Sequence, residues 1–311
     1  MKHLFIINPH CGKGISYERC SNDIKATMEE MGIVDYEIHI TTGPNDGYEY
    51  TKKEVDRGMP IRVYACGGDG TLYEVVNACA CRENAQVAAF PLGSGNDFIR
   101  IFGNKRKLRN FSDHVNGTPM KFDLIKCGDK YAINQCSMGL DAEVCNMQST
   151  VKKFPLLKGD IAYTVALLVC FLGKINNTFT IQIDDDEPIT KNFLFCVAAN
   201  SRWYGGGYKA APNALLYDGF LDFIVVEKDV SRLALLPLIG KYKKGEHLVW
   251  DRTLFKRGKK IHITSPKPAA INIDGETEIG TETTFEIVEK AITFVVPACS
   301  DFIKRKEKGI L

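Results

Sequence analysis

The sequence predicts two domains. An α/β N-terminal domain with a doubly wound parallel sheet spans residues 1–122, and a C-terminal all-β sandwich spans 123–296. Three observations lead there. The chain has 311 residues, too many for one comfortable core. Up to residue 122, strand and helix signals alternate, the rhythm of a parallel sheet covered by helices on both faces. Beyond it, strands at short spacing, separated by turn residues, suggest a sandwich or barrel.

Leu4 to Asn8 is an apolar run that reads as a buried first strand. Ile15 to Met31 can form a helix closed by Gly32. Tyr36 to Ile40 alternates with period two. Pro44 to Arg57 is a polar helix with Pro in its first turn and Gly58 at its end. Ile61 to Ala65 is a strand, Thr71 to Cys81 a helix, Ala85 to Leu92 a strand, and a short helix follows from Asn96. Ligands on such sheets bind beyond the carboxyl ends of the strands.

In the second domain the strands fall at 122–127, 130–136, 178–183, 189–199, 220–227, 260–264, 269–273, 284–288 and 291–296. Asp184 to Glu187 reads as a hairpin tip. Helices interrupt at about 140–151, 158–173 and 231–243. The basic tail, 297–311, either returns to the first domain or frays.

Composition excludes several classes. Forty Lys and Arg against 38 Asp and Glu leave a formal charge of +2, without the basic excess of a dedicated nucleic-acid binder. With 45% hydrophobic and 25% charged residues, the chain is neither disordered nor collagen-like. The first apolar run is too short for a signal peptide. The stretch 161–173 is shorter than the roughly 20 residues of a bilayer span. The 11 cysteines are scattered with no CxxC pair, and the six histidines form no metal motif, so reduced thiols in the cytoplasm are expected.

The strongest chemical signal is Gly67-Gly68-Asp69-Gly70-Thr71, between a strand and a helix. Glycines let backbone approach a ligand closely, and the helix start offers N–H groups and a favourable dipole to an anion. Asp69 would repel a bare phosphate, so it implies a cation or a proton transfer nearby; Mg²⁺ is the natural mediator. The other reading is a tight turn with an N-capping Asp. Pro91 to Asp97, through Gly93, Ser94 and Gly95, repeats the logic at the next strand end. A third loop, Asn8 to Gly14, ends the first strand. Position 17 is Tyr, so the dinucleotide fingerprint is incomplete, and the Walker pattern is absent. Far away, Asn272-Ile-Asp274-Gly275-Glu276 places acids around a turn glycine, which on its own reads most simply as a hairpin turn.

Together these segments resemble the diacylglycerol kinase catalytic family, the soluble lipid kinases related to sphingosine and ceramide kinases, and most closely its bacterial members. The matching pieces are Asn8-Pro9 with Gly12, Gly67 to Thr71, Gly93 to Asp97, and Asn134 with Ser137, Gly139, Asp141 and Ala142. Gly205 to Gly207 with Pro212, Asp218-Gly219 with Leu221-Asp222, and Asp274 to Glu276 complete the set, in order over nearly the whole chain.

The resemblance implies an active site in the cleft between the domains. It implies ATP contacts at Asn8, Pro9, His10, Cys11, Gly12, Thr41, Gly68, Asp69, Gly70, Thr71, Leu72, Tyr73, Glu74 and Ser94. Asp69, Asp97 and Asp123 would organise Mg²⁺ and water, and Glu276 would be the general base. A structural Mg²⁺ in the second domain would be held by the carbonyls of Leu215 and Phe220 and the carboxylate of Asp218. Cys11 stands where the family often has Ser, and a thiol is the weaker donor. His10 is expected to be a surface residue of the loop.

The implied function is ATP-dependent transfer of a phosphoryl group to a lipid hydroxyl, with diacylglycerol as acceptor, by a cytoplasmic enzyme that meets the membrane peripherally. Backbone N–H groups at Gly68–Thr71 and Gly93–Ser94 are expected to cradle the phosphates. Basic clusters lie at Lys105–Arg109, Lys152–Lys158, Lys241–Lys244 and Lys256–Lys260. Lys13 and the 152–158 region, with Leu156 and Leu157, are expected to face the bilayer. A homodimer through an exposed sandwich edge is also possible. The alternatives are a nicotinamide-nucleotide (NAD) kinase, whose members share Gly-Gly-Asp-Gly-Thr, and a non-catalytic nucleotide sensor.

Overall fold

The computed structural model describes residues 1–11, 16–151, 177–227 and 240–310. The helix expected at 158–173, most of that at 231–243, and Gly12, Lys13, Leu156 and Leu157 lie outside the described residues. The chain divides into two compact units, residues 1–122 with 290–311, and residues 123–289.

In the first unit, β1 (Lys2–Ile7), β2 (Tyr36–Ile40), β3 (Ile61–Gly67) and β4 (Ala85–Pro91) form a parallel sheet in the order β2-β1-β3-β4. Its helices are α1 (Tyr17–Glu30), α2 (Asp46–Val55), α3 (Asp69–Cys79) and α4 (Phe111–Val115). α1 starts because Ser16 accepts the N–H of Arg19, and it buries Cys20, Ile24 and Met28, spaced four apart along one face. They meet Phe5, Ile7, Tyr64 and Phe90 in one core. The Asn96 segment forms a 3-10 turn, Phe98–Phe102, rather than an α-helix.

Residues 290–296, expected in the second domain, belong to the first unit, because Thr293 and Phe294 pair in parallel with Gln86 and Val87. The tail does not fray. Its helix α6 (Phe302–Glu307) sets Phe302 against Phe102 and Phe122, with centroids 5.1 and 5.9 Å away.

The second unit holds β5 (Thr118–Cys127, from Asp123 on), β6 (Lys130–Ala132), β7 (Gln135–Gly139), β8 (Asn177–Ile183), β9 (Ile189–Ala199), β10 (Leu221–Glu227), β11 (Thr253–Gly258), β12 (Lys260–Ile273) and the first part of β13 (Glu276–Val296). Strand order is β11-β10-β9-β7-β12-β13, with β8 filling the other end of the gap between β9 and β12. The β8–β9 hairpin turns at Asp184 to Glu187. The unit is not purely β: α5 (Leu140–Val151) buries Leu140 and Val144 against Leu194 and Val197.

The strands expected separately at 260–264 and 269–273 are one strand with a register shift between Thr264 and Ala269. Pro266 and Pro268 fall in that shift, where missing N–H groups interrupt the ladder without ending the strand. β11 was not expected at all.

Candidate active site

In the first unit, the loops after β1, β3 and β4 converge at the carboxyl ends of the strands. α3 begins at Asp69 with Gly68 as its N-cap residue, two residues earlier than the sequence pattern suggests. The N–H groups of its first turn have no intrahelical acceptor.

The loop after β4 is pinned against this start. Leu92 and Gly93 both donate their N–H to the Gly67 carbonyl, at 2.9 and 3.0 Å. Asn96 Nδ2 donates to the same oxygen at 3.0 Å. The Gly93 N–H, expected to cradle phosphate, is therefore spent on the protein itself. A Cβ on Gly93 would collide with Gly68 Cα, and one on Gly95 would lie 2.7 Å from Asp69 Oδ2. The two loops can meet only because neither residue has a side chain.

Asp69 is the brace. Its Oδ2 accepts the Asn96 N–H at 2.7 Å and its Oδ1 the Asp97 N–H at 2.8 Å. These bonds also hold Asn96 at φ 51°, in the left-handed region that Asn tolerates. The residue after them, Asp97, is buried and accepts from Arg100 Nε at 2.9 Å.

Asn8 faces this cluster, its amide 3.5 Å from Thr71 Oγ1. His10 is exposed, and its N–H donates to Asn8 Oδ1. Pro9 between them is half-buried, and Ser94 is exposed. The Cys11 thiol reaches the Gly68 backbone and the Thr71 hydroxyl. Burial, then the charge of Asp69, raises its pKa, so it stays a neutral thiol beside the glycine loops.

Thr41 is buried at the end of β2 and donates its N–H to Ile7 O. Glu74 accepts the Asn45 N–H at 2.8 Å, tying α3 to the loop before α2. On the same helix Leu72 is buried and Tyr73 half-buried.

Lys105 is a member that sequence reasoning assigned elsewhere. Its ammonium donates to the carbonyls of Gly93 and, at 3.2 Å, Ser94. Arg109 donates to Pro91 O at 3.0 Å. Two cations of the Lys105–Arg109 basic cluster are thus built into the second glycine loop. Burial and then Arg109 lower the Lys105 pKa.

In the second unit, Asp274 and Gly275 form the two-residue hairpin between β12 and β13, with φ of 52° and 100°. The turn is also braced. The Asp274 carboxylate accepts the N–H groups of Ile133 (2.6 Å), Asn134 (3.0 Å) and Gln135 (2.8 Å). Asn272 Oδ1 accepts the Gly275 N–H at 2.7 Å. Glu276, the next residue, pairs with Ile273 through the ladder and is exposed, and its carboxylate has no hydrogen bond or ion pair among the described residues.

Asp123 is buried, and its Oδ2 accepts the Gly219 N–H at 2.9 Å. That bond sets it against the Leu215–Phe220 loop, where the structural metal was expected. There Asp218 is paired with Arg257.

Residues 134–296, more than half of the chain, match the family described as the YegS C-terminal NAD kinase beta sandwich-like domain. Residues 2–127 match the diacylglycerol kinase catalytic domain. The chain belongs to the diacylglycerol kinase and YegS-like lipid kinase family. It is 26% identical over 274 residues to a diacylglycerol kinase of Staphylococcus carnosus, covering 87% of each chain. A protein of Shewanella frigidimarina named as a YegS-like lipid kinase is 29% identical, over 80% of this chain and 81% of its own. A crystal structure of a diacylglycerol kinase from Bacillus anthracis superposes with a TM-score of 0.68 at 20% identity, covering 94% of this chain and 96% of its own. That likeness concerns the fold.

The loops of this lipid-kinase family member suit a nucleotide through the start of α3, whose first-turn N–H groups have no intrahelical acceptor; the glycines serve to let the two loops and the Asp69 and Thr71 side chains pack together. For magnesium, Asp69 fits as a partner of metal-bound water: each of its oxygens accepts one backbone N–H and keeps a second lone pair, whereas Asp97 already gives one oxygen to the Arg100 guanidinium. The structural metal site does not fit. One Asp218 oxygen accepts the Phe220 N–H at 3.1 Å, the other is paired with a guanidinium, and Mg²⁺ demands near-octahedral oxygen ligation.

Among the described residues no helix is long and apolar enough to cross a membrane. Lys256 and Lys259, expected in a basic cluster, are paired with Asp186 and Glu289.

Proposed function

We propose that the protein is an ATP-dependent kinase that transfers the γ-phosphoryl group to a lipid hydroxyl, with diacylglycerol as acceptor and phosphatidic acid as product. The observation that carries this reading is the pair of glycine loops locked by Asp69 at the start of α3, whose first-turn N–H groups have no intrahelical acceptor. The names of the curated relatives support the lipid acceptor.

Phosphoryl transfer depends on positioning and charge neutralisation more than on covalent help. Asn8, Thr71 and the start of α3 bind the phosphates. Lys105 holds the Gly93 and Ser94 carbonyls away from them. Asp69 and Asp97, with Asp123, would hold Mg²⁺ and its water, and the ion would supply charge neutralisation on the phosphates. Glu276 accepts the hydroxyl proton as the oxygen forms its bond to phosphorus and ADP leaves. Such base assistance is worth about 10²–10⁴-fold. Lys13 and the 152–158 region bring the cytoplasmic enzyme to anionic lipid.

The test is labelled ATP with diacylglycerol, a sphingoid base and NAD offered separately. Label in phosphatidic acid is expected. Label in NADP alone, or in no product, would overturn the reading.

A further inference from the structure

We propose that Arg257 does in this chain what the family resemblance gives to a structural magnesium ion: it clamps the 215–222 loop of the second unit without a metal. Arg257 Nη2 pairs with Asp218, and its Nε donates to Asp222 Oδ1 at 3.1 Å. Asp222 is 1% exposed and stands directly opposite Arg257 in the β10–β11 ladder, so the strand register presents the guanidinium to both acids. The same guanidinium lies 5.3 Å from the centroid of the exposed Phe220 ring, a cation–π distance. One planar cation thus gathers an acid before the turn, an aromatic within it and an acid after it.

The alternative needs Mg²⁺ on Asp218 with the Leu215 and Phe220 carbonyls. A dication would have to share its single carboxylate with a guanidinium already seated there, and like charges at that spacing repel. A permanently charged arginine fork suits two carboxylates at once.

The clamped loop reaches the candidate chemistry. Gly219, at φ 74°, donates its N–H to Asp123 Oδ2 at 2.9 Å, and the Asp123 N–H donates to Leu216 O at 2.8 Å. Arg257 is therefore a positioning residue that acts on Asp123 through Gly219. This last step rests on the proposed function; the clamp itself does not.

The experiment is thermal unfolding of the full, nucleotide-free chain in EDTA and in graded MgCl2. The wild-type Tm is expected to be the same in both. Arg257→Gln is expected to lower it by roughly 5–10 °C, because a buried carboxylate loses its partner. A saturable Mg²⁺-dependent rise in the wild-type Tm that Asp218→Asn abolishes would overturn the proposal, as would an Arg257→Gln protein as stable as wild type. Should that variant not fold, the wild-type arm still decides.

Well below either Tm, Arg257→Gln is expected to lower kcat roughly 10-fold with KM for ATP unchanged, and Arg257→Lys to recover part of it. Absence of kinase activity in the wild type would remove the proposed function and leave the melting result standing.

Discussion

The glycine loops of the first unit and the Asp274 hairpin of the second solve one problem in two ways. Each is a tight turn fixed by a carboxylate that accepts neighbouring backbone N–H groups. At Asp69 the bracing acid is the one the motif presents as chemical, and both its oxygens are engaged. At the hairpin the tasks are split: Asp274 takes three N–H groups, and Glu276 two residues on is left exposed. Acids beside glycines are therefore not equivalent. Those that saturate backbone donors build the turn, and one whose oxygens are unengaged can accept a proton from substrate.

The largest expected effect tests that division directly. Glu276→Gln should lower turnover by about 10²–10⁴-fold, with ATP binding and resistance to urea unchanged. Normal turnover in the folded variant would remove Glu276 from the chemistry. Asp274→Asn should do the reverse. Its amide can accept but cannot satisfy three converging donors, and charge-assisted bonds are worth about 1.5–3 kcal/mol each. A loss of about 2–4 kcal/mol in urea unfolding is expected. Asp69→Asn should lose both stability and ATP affinity, because its one carboxylate serves the fold and the loop; a change in neither would break the comparison.

Much of this was legible in the residues. The βαβ rhythm to residue 92 and the convergence of glycine loops at strand ends follow from hydrophobic period and turn chemistry. The bracing was not, because the N–H groups that Asp69 accepts lie 27 and 28 residues along the chain and carry no side-chain signature. Lys105 reads as one more surface cation until the chain turns back and sets it on the Gly93 carbonyl. β11 is missed because Lys256 and Arg257 look solvated, whereas Asp186 of the β8–β9 turn pairs the first and the cross-strand Asp222 the second. The long β12 is broken on paper by prolines that in the fold only shift its register.

A third acid sharpens the contrast. Asp141 is buried, with Ser137 Oγ at 2.6 Å and no backbone brace recorded. Burial pushes its pKa up to about 6, against the opposing hydrogen bonds of Ser137 and Tyr204. The native state therefore holds this proton more tightly than the unfolded chain. Its contribution is most favourable below the unfolded value near 4 and is lost as pH rises through about 6. Above that the penalty is on the order of 2–3 kcal/mol. Asp141→Asn, which keeps an acceptor for Ser137, should be more stable than wild type at pH 8 by up to that amount. The gap should close as the pH falls from 6 to 4 in urea titrations. A pH-independent difference would show that Asp141 is satisfied by partners, as Asp69 and Asp274 are.

The smallest effect separates holding from reacting within the first unit. Cys11 sits on Gly68 and Thr71 as a neutral thiol, a weak donor in a place where the resemblance expects a hydroxyl. Cys11→Ser supplies a stronger donor toward the phosphate proposed to bind at this loop, and one improved neutral hydrogen bond is worth roughly 0.5–1 kcal/mol. KM for ATP should therefore fall about 2–5-fold. Since the role proposed for this loop is to grip phosphate in the bound substrate and the transition state alike, kcat should stay where it is. If kcat rises while KM stays constant, the contact exists only in the transition state. Cys11 would then stand with Glu276 among the groups that act on the reacting atoms, and the line drawn between the two turns would no longer separate grip from chemistry.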